Sequence, residues 1–301
     1  MDWSRDGLTW PHRDRSQFVR VDDQPWHVQL WPHAQPQHSA IVLIHGTGSS
    51  THSWRDVAAL LASRYTVVAV DLPGHGFSAR TRPGDGSLEG MARGALALLR
   101  QLQIHTLFAV GHSAGAAIAA QMALDAPDRV QAVMGLNPAL MPLQGWAAHV
   151  FSPTARLLSA HPMMASIVSW QAAQPWMVQR LLESTGSHLD AQGVALYRRL
   201  VADTDHVAGV LEMTARWDLS SLLSRLPQLQ QPVTLVTTAH DRTVPPTSAQ
   251  SALQLLPQAK LLALPQGGHL AHEEDPQAFA HRIDQWIQSL TTQAGKVSEE
   301  I

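Results

Sequence analysis

Thr106-Leu107-Phe108-Ala109-Val110-Gly111-His112-Ser113-Ala114-Gly115-Ala116-Ala117 joins an apolar run, a glycine-flanked serine and an alanine-rich start in one short stretch. The run Thr106 to Val110 has the make-up of a buried strand, and the residues through Asp125 that of a helix closed by Pro127. Between them stands G-x-S-x-G at 111 to 115. A serine on a strained strand-to-helix turn needs small neighbours, because backbone approaches backbone there. That setting makes Ser113 the candidate nucleophile. The similar Gly76-Phe77-Ser78-Ala79-Arg80 fails at its last position.

Outward from this turn the alternation continues. Phe18 to Val21 and Trp26 to Trp31 read as a strand pair around Asp22-Asp23-Gln24. Ala40 to Ile44 ends at His45-Gly46-Thr47-Gly48, and Tyr65 to Val70 ends at Asp71-Leu72-Pro73-Gly74. Ser87 to Leu102 reads as a helix with Ser87 as its N-cap. Val130 to Leu136, Val233 to Thr238 and Lys260 to Leu264 read as further strands. Ser248 to Leu256 and Pro276 to about Leu290 read as helices, with a polar, frayed tail after Thr291. Strands disappear between Ala139 and Leu226, where Trp, Met, His and Gln become frequent. The expected architecture is α/β, a mostly parallel sheet of about eight strands with helices on both faces. Residues 1–138 and 227–301 form its core, and 139–226 an inserted helical cap.

Function in such a sheet collects at the carboxyl ends of the strands. A serine hydroxyl needs a base, itself oriented by a carboxylate, and in this kind of fold the chain order is serine, acid, histidine. Asp241 lies past the strand Val233 to Thr238, and His269 past Lys260 to Leu264, so both positions and their order fit. A tetrahedral intermediate also needs backbone N–H donors, worth about 3 kcal/mol each. Ala114, following the serine, and Thr47, in the loop after Ala40 to Ile44, are the candidates. Gly46 and His112 stand beside them at the pocket edge.

Composition removes other classes. With 301 residues, 45% hydrophobic and 15% charged, the chain can bury a large core. A net charge of −3 lacks the basic footprint of a nucleic-acid binder. Cysteine is absent, which excludes disulfides, thiol nucleophiles and thiolate metal sites. No apolar run approaches the roughly 18 residues of a membrane span, and the N-terminus has no secretory pattern; a cytoplasmic protein is expected. Gly74-His75-Gly76-Phe77-Ser78-Ala79 fits a loose dinucleotide fingerprint, but no helix follows to hold a pyrophosphate. His269, His272, Glu273 and Glu274 match no zinc helix motif, so no metal and no cofactor are expected.

Together these residues resemble the α/β-hydrolase superfamily over nearly the whole chain apart from the cap. Asp71-Leu72-Pro73-Gly74-His75-Gly76-Phe77-Ser78 and Pro127-Asp128-Arg129-Val130 extend the likeness. A narrower resemblance, to the magnesium-chelatase accessory proteins of bacteriochlorophyll biosynthesis (BchO type), rests on further segments. These are Trp10-Pro11-His12-Arg13, Trp26-His27-Val28-Gln29, Thr51-His52-Ser53-Trp54-Arg55, Thr185-Gly186-Ser187 and Gly268-His269-Leu270-Ala271-His272-Glu273-Glu274. His12 departs from the asparagine that follows Trp-Pro in that group. The resemblance implies Ser113, Asp241 and His269 as the catalytic residues, and a biosynthetic context rather than a substrate.

The expected function is hydrolysis of a carboxylic ester or related acyl bond of a bulky apolar molecule, with a tetrapyrrole as candidate. Trp146, Trp170, Trp176 and Met213, with Met163, Met164, Met177 and Trp217, are the cap residues expected to line its pocket. Arg156, Arg180, Arg198 and Arg216 are candidates for its carboxylates. Two alternatives stand beside this reading. One is a non-catalytic accessory protein that binds a magnesium-chelatase subunit or a porphyrin. The other is cofactor-free C–C hydrolysis or perhydrolysis. Epoxide hydrolase and haloalkane dehalogenase chemistry would require an aspartate where Ser113 stands.

Overall fold

The computed structural model describes residues 1–34, 39–80, 86–142, 164–172 and 174–299. Among them the apolar runs become eight strands: β1 Ser16–Val21, β2 Gln24–Trp31, β3 Ala40–Ile44, β4 Val67–Val70, β5 Leu107–His112, β6 Val130–Leu136, β7 Val233–Thr238 and β8 Ala259–Leu264. They form one sheet in the order β1-β2-β4-β3-β5-β6-β7-β8. β1 and β2 pair antiparallel, as do β2 and β4; from β4 to β8 every pairing is parallel. Asp22 and Asp23, both at positive φ, turn β1 into β2, a conformation that aspartate tolerates.

Continuous apolar runs are what a strand covered on both faces requires. Along β3, Val42 and Ile44 face one core, and Ile41 and Leu43 the other. On the first face pack α2 Leu88–Gln101, capped by the Ser87 hydroxyl on the Gly90 N–H, and α3 Ala114–Asp125. On the second pack α1 Arg55–Leu61 and the last helix, Pro276–Glu299. Between β6 and β7 the described residues form no strand but five α-helices: α4 Met164–Ala172, α5 Pro175–Ser184, α6 Ala191–Ala202, α7 Thr204–Arg216 and α8 Ser220–Arg225. α9 Pro246–Leu253 follows β7, and α10 Ala271–Glu274 precedes the last helix, α11. No described helix is long and apolar enough to cross a membrane.

Three differences from the sequence reading have physical causes. The seven residues of α1 make about two turns, too few to show a periodicity, and burial against the sheet and α11 holds them. β4 starts at Val67 because Tyr65 is turned to the last helix, where its hydroxyl donates to Asp284 at 2.7 Å. α11 runs on to Glu299 instead of fraying after Thr291. Its packed turns, Phe279 to Ile287, already supply the nucleus, and each added residue gains one backbone bond.

Candidate active site

From β3 the chain winds to β4 on one side and then crosses to β5 on the other. A crevice opens at the carboxyl end of a sheet where the winding reverses. The loop Gly46–Ser49 leaves β3 on one side of it, and Ser113 leaves β5 on the other.

Ser113 has φ 52° and ψ −118° as it enters α3. A side-chain-bearing residue there carries strain of about 1–3 kcal/mol, so the surroundings must hold it. Its N–H donates to the Leu136 carbonyl at 3.0 Å, and its carbonyl accepts from Ala116 and Ala139 at 3.1 Å each. The flanking glycines allow the close packing. A Cβ on Gly111 would overlap the Gly115 carbonyl, and one on Gly115 the Ile44 carbonyl. Ala114 begins α3, so its N–H has no carbonyl partner one turn earlier in the helix.

His269 Nδ1 donates to Asp241 Oδ2 at 2.8 Å, which leaves Nε2 as the free lone pair of a neutral ring. Asp241 Oδ1 accepts from the Thr243 and Val244 N–H groups at 2.8 and 2.9 Å. Both carboxylate oxygens are thus committed, and the carboxylate cannot rotate. The His269 carbonyl is held as well, by Asn137 Nδ2 at 3.0 Å and His112 Nε2 at 2.9 Å. Asn137 Nδ2 also reaches the Gly268 carbonyl at 3.0 Å, while its Oδ1 accepts from the Thr238 N–H. Burial holds the pKa of His112 well below the ordinary histidine range. His269, whose ring centroid lies 4.6 Å from that of His112, therefore has an uncharged ring beside it.

The helical insertion reaches these loops through Thr185-Gly186-Ser187. The Thr185 carbonyl accepts from the N–H groups of Arg242 and His269, and the Ser187 hydroxyl from that of Leu270. One cavity of about 370 Å³ has Gly46, Thr47, His112, Ser113, Ala114 and His269 on its core side. Val168, Leu182, Tyr197, Val207 and Trp217 lie on its other side. Asp241 lies behind His269, 7% exposed. None of the described lining residues is Asp, Glu, Lys or Arg. A larger open groove of about 880 Å³, along Arg242, Glu274 and Arg282, does not include Ser113.

The core-side residues expected from sequence thus meet around one cavity, with Asp241 behind. Of the cap residues expected to line it, Met164, Trp170, Trp176, Met177 and Met213 do not. Trp170 and Trp176 are 71% and 60% exposed, because the helix faces carrying them turn outward. Met213 is buried, its sulfur accepting from the Thr47 hydroxyl at 3.7 Å, and it lies outside the cavity wall. Trp217 does line the cavity. Trp146, Met163 and Arg156 fall outside the described residues. Arg180, Arg198 and Arg216 are exposed away from the cavity, Arg216 pairing with Glu212 at 3.5 Å. His272 stacks on Trp54 and on His112, and burial pulls its pKa down to about 3. Sequence reasoning missed the work of Asn137, although its place at the carboxyl end of β6 was a signal. It also missed His206, which lines the cavity and meets the Gly48 carbonyl at 3.3 Å.

The family model for the alpha/beta hydrolase fold matches residues 39–276. The magnesium-chelatase 30 kDa subunit of Rhodobacter capsulatus is 38% identical over 280 residues, covering 93% of this chain and 96% of that one. Among solved structures, the enol-lactonase from Burkholderia xenovorans LB400 has a TM-score of 0.74 at 20% identity, covering 90% of this chain and all of that one. The epoxide hydrolase CorEH has a TM-score of 0.76 at 19% identity, covering 91% and 99%. At such identities these two share the fold alone with this chain. The protein thus belongs to the α/β-hydrolase fold family, in its BchO-type branch.

Proposed function

We propose that the protein is a serine hydrolase that cleaves a carboxylic-ester or related acyl bond of an apolar substrate through an acyl-enzyme on Ser113. One observation carries the reading. Ser113 stands on a strained strand-to-helix turn, facing the same cavity as a histidine whose Nδ1 is held 2.8 Å from a buried, doubly anchored aspartate. In this mechanism His269 Nε2 takes the Ser113 proton as Oγ attacks the carbonyl carbon. The N–H groups of Thr47 and Ala114 receive the oxyanion, and Asp241 keeps Nδ1 protonated and stabilises the imidazolium. His269 then protonates the leaving alcohol, and later activates the water that releases the acid.

The helices between β6 and β7 act as the cap that selects the substrate. Their cavity wall carries no described charge, which favours an uncharged group. At roughly 30 Å³ for each water-sized group, the cavity takes on the order of a dozen non-hydrogen atoms. It therefore suits one ester arm of a large molecule rather than a whole tetrapyrrole ring. The name of the Rhodobacter relative favours work beside a magnesium chelatase; a role in bacteriochlorophyll biosynthesis and a place in the cytoplasm belong to this proposal from the sequence resemblance. The same name favours a second reading, a non-catalytic accessory that binds a chelatase subunit or a porphyrin on a hydrolase fold.

A fluorophosphonate probe separates the two. The hydrolase reading expects stoichiometric labelling that vanishes in Ser113→Ala and His269→Ala. An unlabelled wild-type protein, or labelling that persists without Ser113, supports the accessory reading instead.

A further inference from the structure

Tyr197 of α6 lines the cavity, and its hydroxyl is gripped from two sides. It donates to Glu273 Oε1 at 2.7 Å, so the Ser49 hydroxyl, 3.1 Å away, is the donor in its second bond. Ser49 in turn closes the loop after β3, its N–H donating to the Gly46 carbonyl at 3.2 Å. Thr47 sits inside that closed turn. Glu273 belongs to α10, the helix that begins two residues after His269. Its other oxygen lies 3.6 Å from the buried Arg55 guanidinium, which also meets Asp56 and Asp190, the residue capping α6. One phenol therefore joins the loop after β3, the helical insertion and the helix beyond His269. A buried tyrosine needs only one partner to satisfy its hydroxyl. This one has two, on separate elements, and both are themselves anchored.

We infer that Tyr197 is a positioning residue. Through Ser49 it fixes the Gly46–Ser49 turn, and with it the Thr47 N–H, against Ser113, while Glu273 aims the phenol. The inference rests on the hydrolase reading above and adds that the helical insertion completes the oxyanion site from outside the core. Removing the hydroxyl leaves the Ser113, His269 and Asp241 contacts untouched. It loosens the loop that carries one of the two oxyanion donors, and it also takes one hydrogen bond from Glu273.

The test uses the full-length protein with p-nitrophenyl butyrate as probe, comparing wild type, Tyr197→Phe, Ser49→Ala and the double variant. Each single change is expected to lower kcat roughly tenfold, since a displaced donor costs less than a deleted one. KM should stay within about twofold, because the ground-state carbonyl relies little on that donor. The double variant should be no slower than Tyr197→Phe, because the bond that Ser49→Ala removes is already absent there. Should Tyr197→Phe fail to fold, Ser49→Ala alone carries the same kcat expectation. Folded variants with unchanged kcat, a loss confined to KM, or losses that multiply in the double variant would each overturn the inference. Fluorophosphonate labelling of the wild type keeps the two readings apart. Without labelling the hydrolase reading falls and this one with it; with labelling, unaffected variants overturn this one alone.

Discussion

Replacing Asp241 by asparagine tests the hydrogen-bonding logic of the site with the least disturbance of its shape. The Oδ1 position accepts from two backbone N–H groups, so the asparagine carbonyl must occupy it to avoid opposing donors. Its amide NH₂ then faces His269 Nδ1, 2.8 Å away in the native protein. An NH₂ there can only donate, so Nδ1 must accept and the ring proton moves to Nε2. A histidine protonated at Nε2 has no lone pair to take the serine proton. Turnover should fall about 10⁴-fold, equivalent to about 5 kcal/mol of transition-state stabilisation. Loss of a charge-assisted bond costs about 2 kcal/mol of stability, against the 5–15 kcal/mol typical of a domain, so the fold should persist. The assay is ester turnover beside a thermal melt of the same sample. A folded Asp241→Asn protein turning over within tenfold of wild type would refute the reasoning and require another acid. The insertion offers poor substitutes: Asp203 caps α7, and Glu212 is paired with Arg216 and Arg80.

Two further outcomes follow from buried polar groups. His45, His52, His75, His112, His206 and His272 are buried, and burial pulls the pKa of each below the ordinary range. The unfolded chain protonates them near 6.5 and the folded one only at lower pH, so each loses stability, by at most about 1.4 kcal/mol per pH unit, between 6.5 and its own lowered pKa. Glu273, pushed up to about 7 by burial, works in the opposite sense, losing stability as pH rises, but it is one group against six. Circular dichroism should therefore show cooperative unfolding near pH 5, and a native spectrum with an unchanged melt at pH 4 would contradict it. Asn137→Ala, which strips the carbonyls of Gly268 and His269 of their amide donor, should cost about 2–3 kcal/mol in urea unfolding and lower kcat. A loss under about 1 kcal/mol would show that the clamp is dispensable.

Local chemistry made most of the architecture legible in the sequence. The apolar runs at Ala40 to Ile44, Leu107 to Val110, Val130 to Leu136 and Val233 to Thr238 are strands because a sheet covered on both faces buries nearly all the side chains of a short run. The G-x-S-x-G turn was readable because only small residues let α3 press against the end of β3. Chain order then ranked Asp241 and His269 above the other acids and histidines. Seven residues of α1, and a helix whose polar end merely continues an established spiral, leave no such imprint.

Tertiary structure alone decided which side chains meet. Trp170 and Trp176 have the composition of pocket residues, but composition does not say which way a helix turns, and theirs face outward while Val207 and Tyr197 face in. Asn137, Ser49, Tyr197 and Glu273 lie in four separate segments, each unremarkable by itself. Asn137 meets the Gly268 carbonyl, and Tyr197 meets Ser49 and Glu273, only after the sheet has brought the ends of β3, β6 and β8 to one edge and the helices between β6 and β7 have packed against them. Pairwise hydrogen bonds between residues some 75 to 150 positions apart leave no local periodicity to read, because their energy depends on distances that the fold creates.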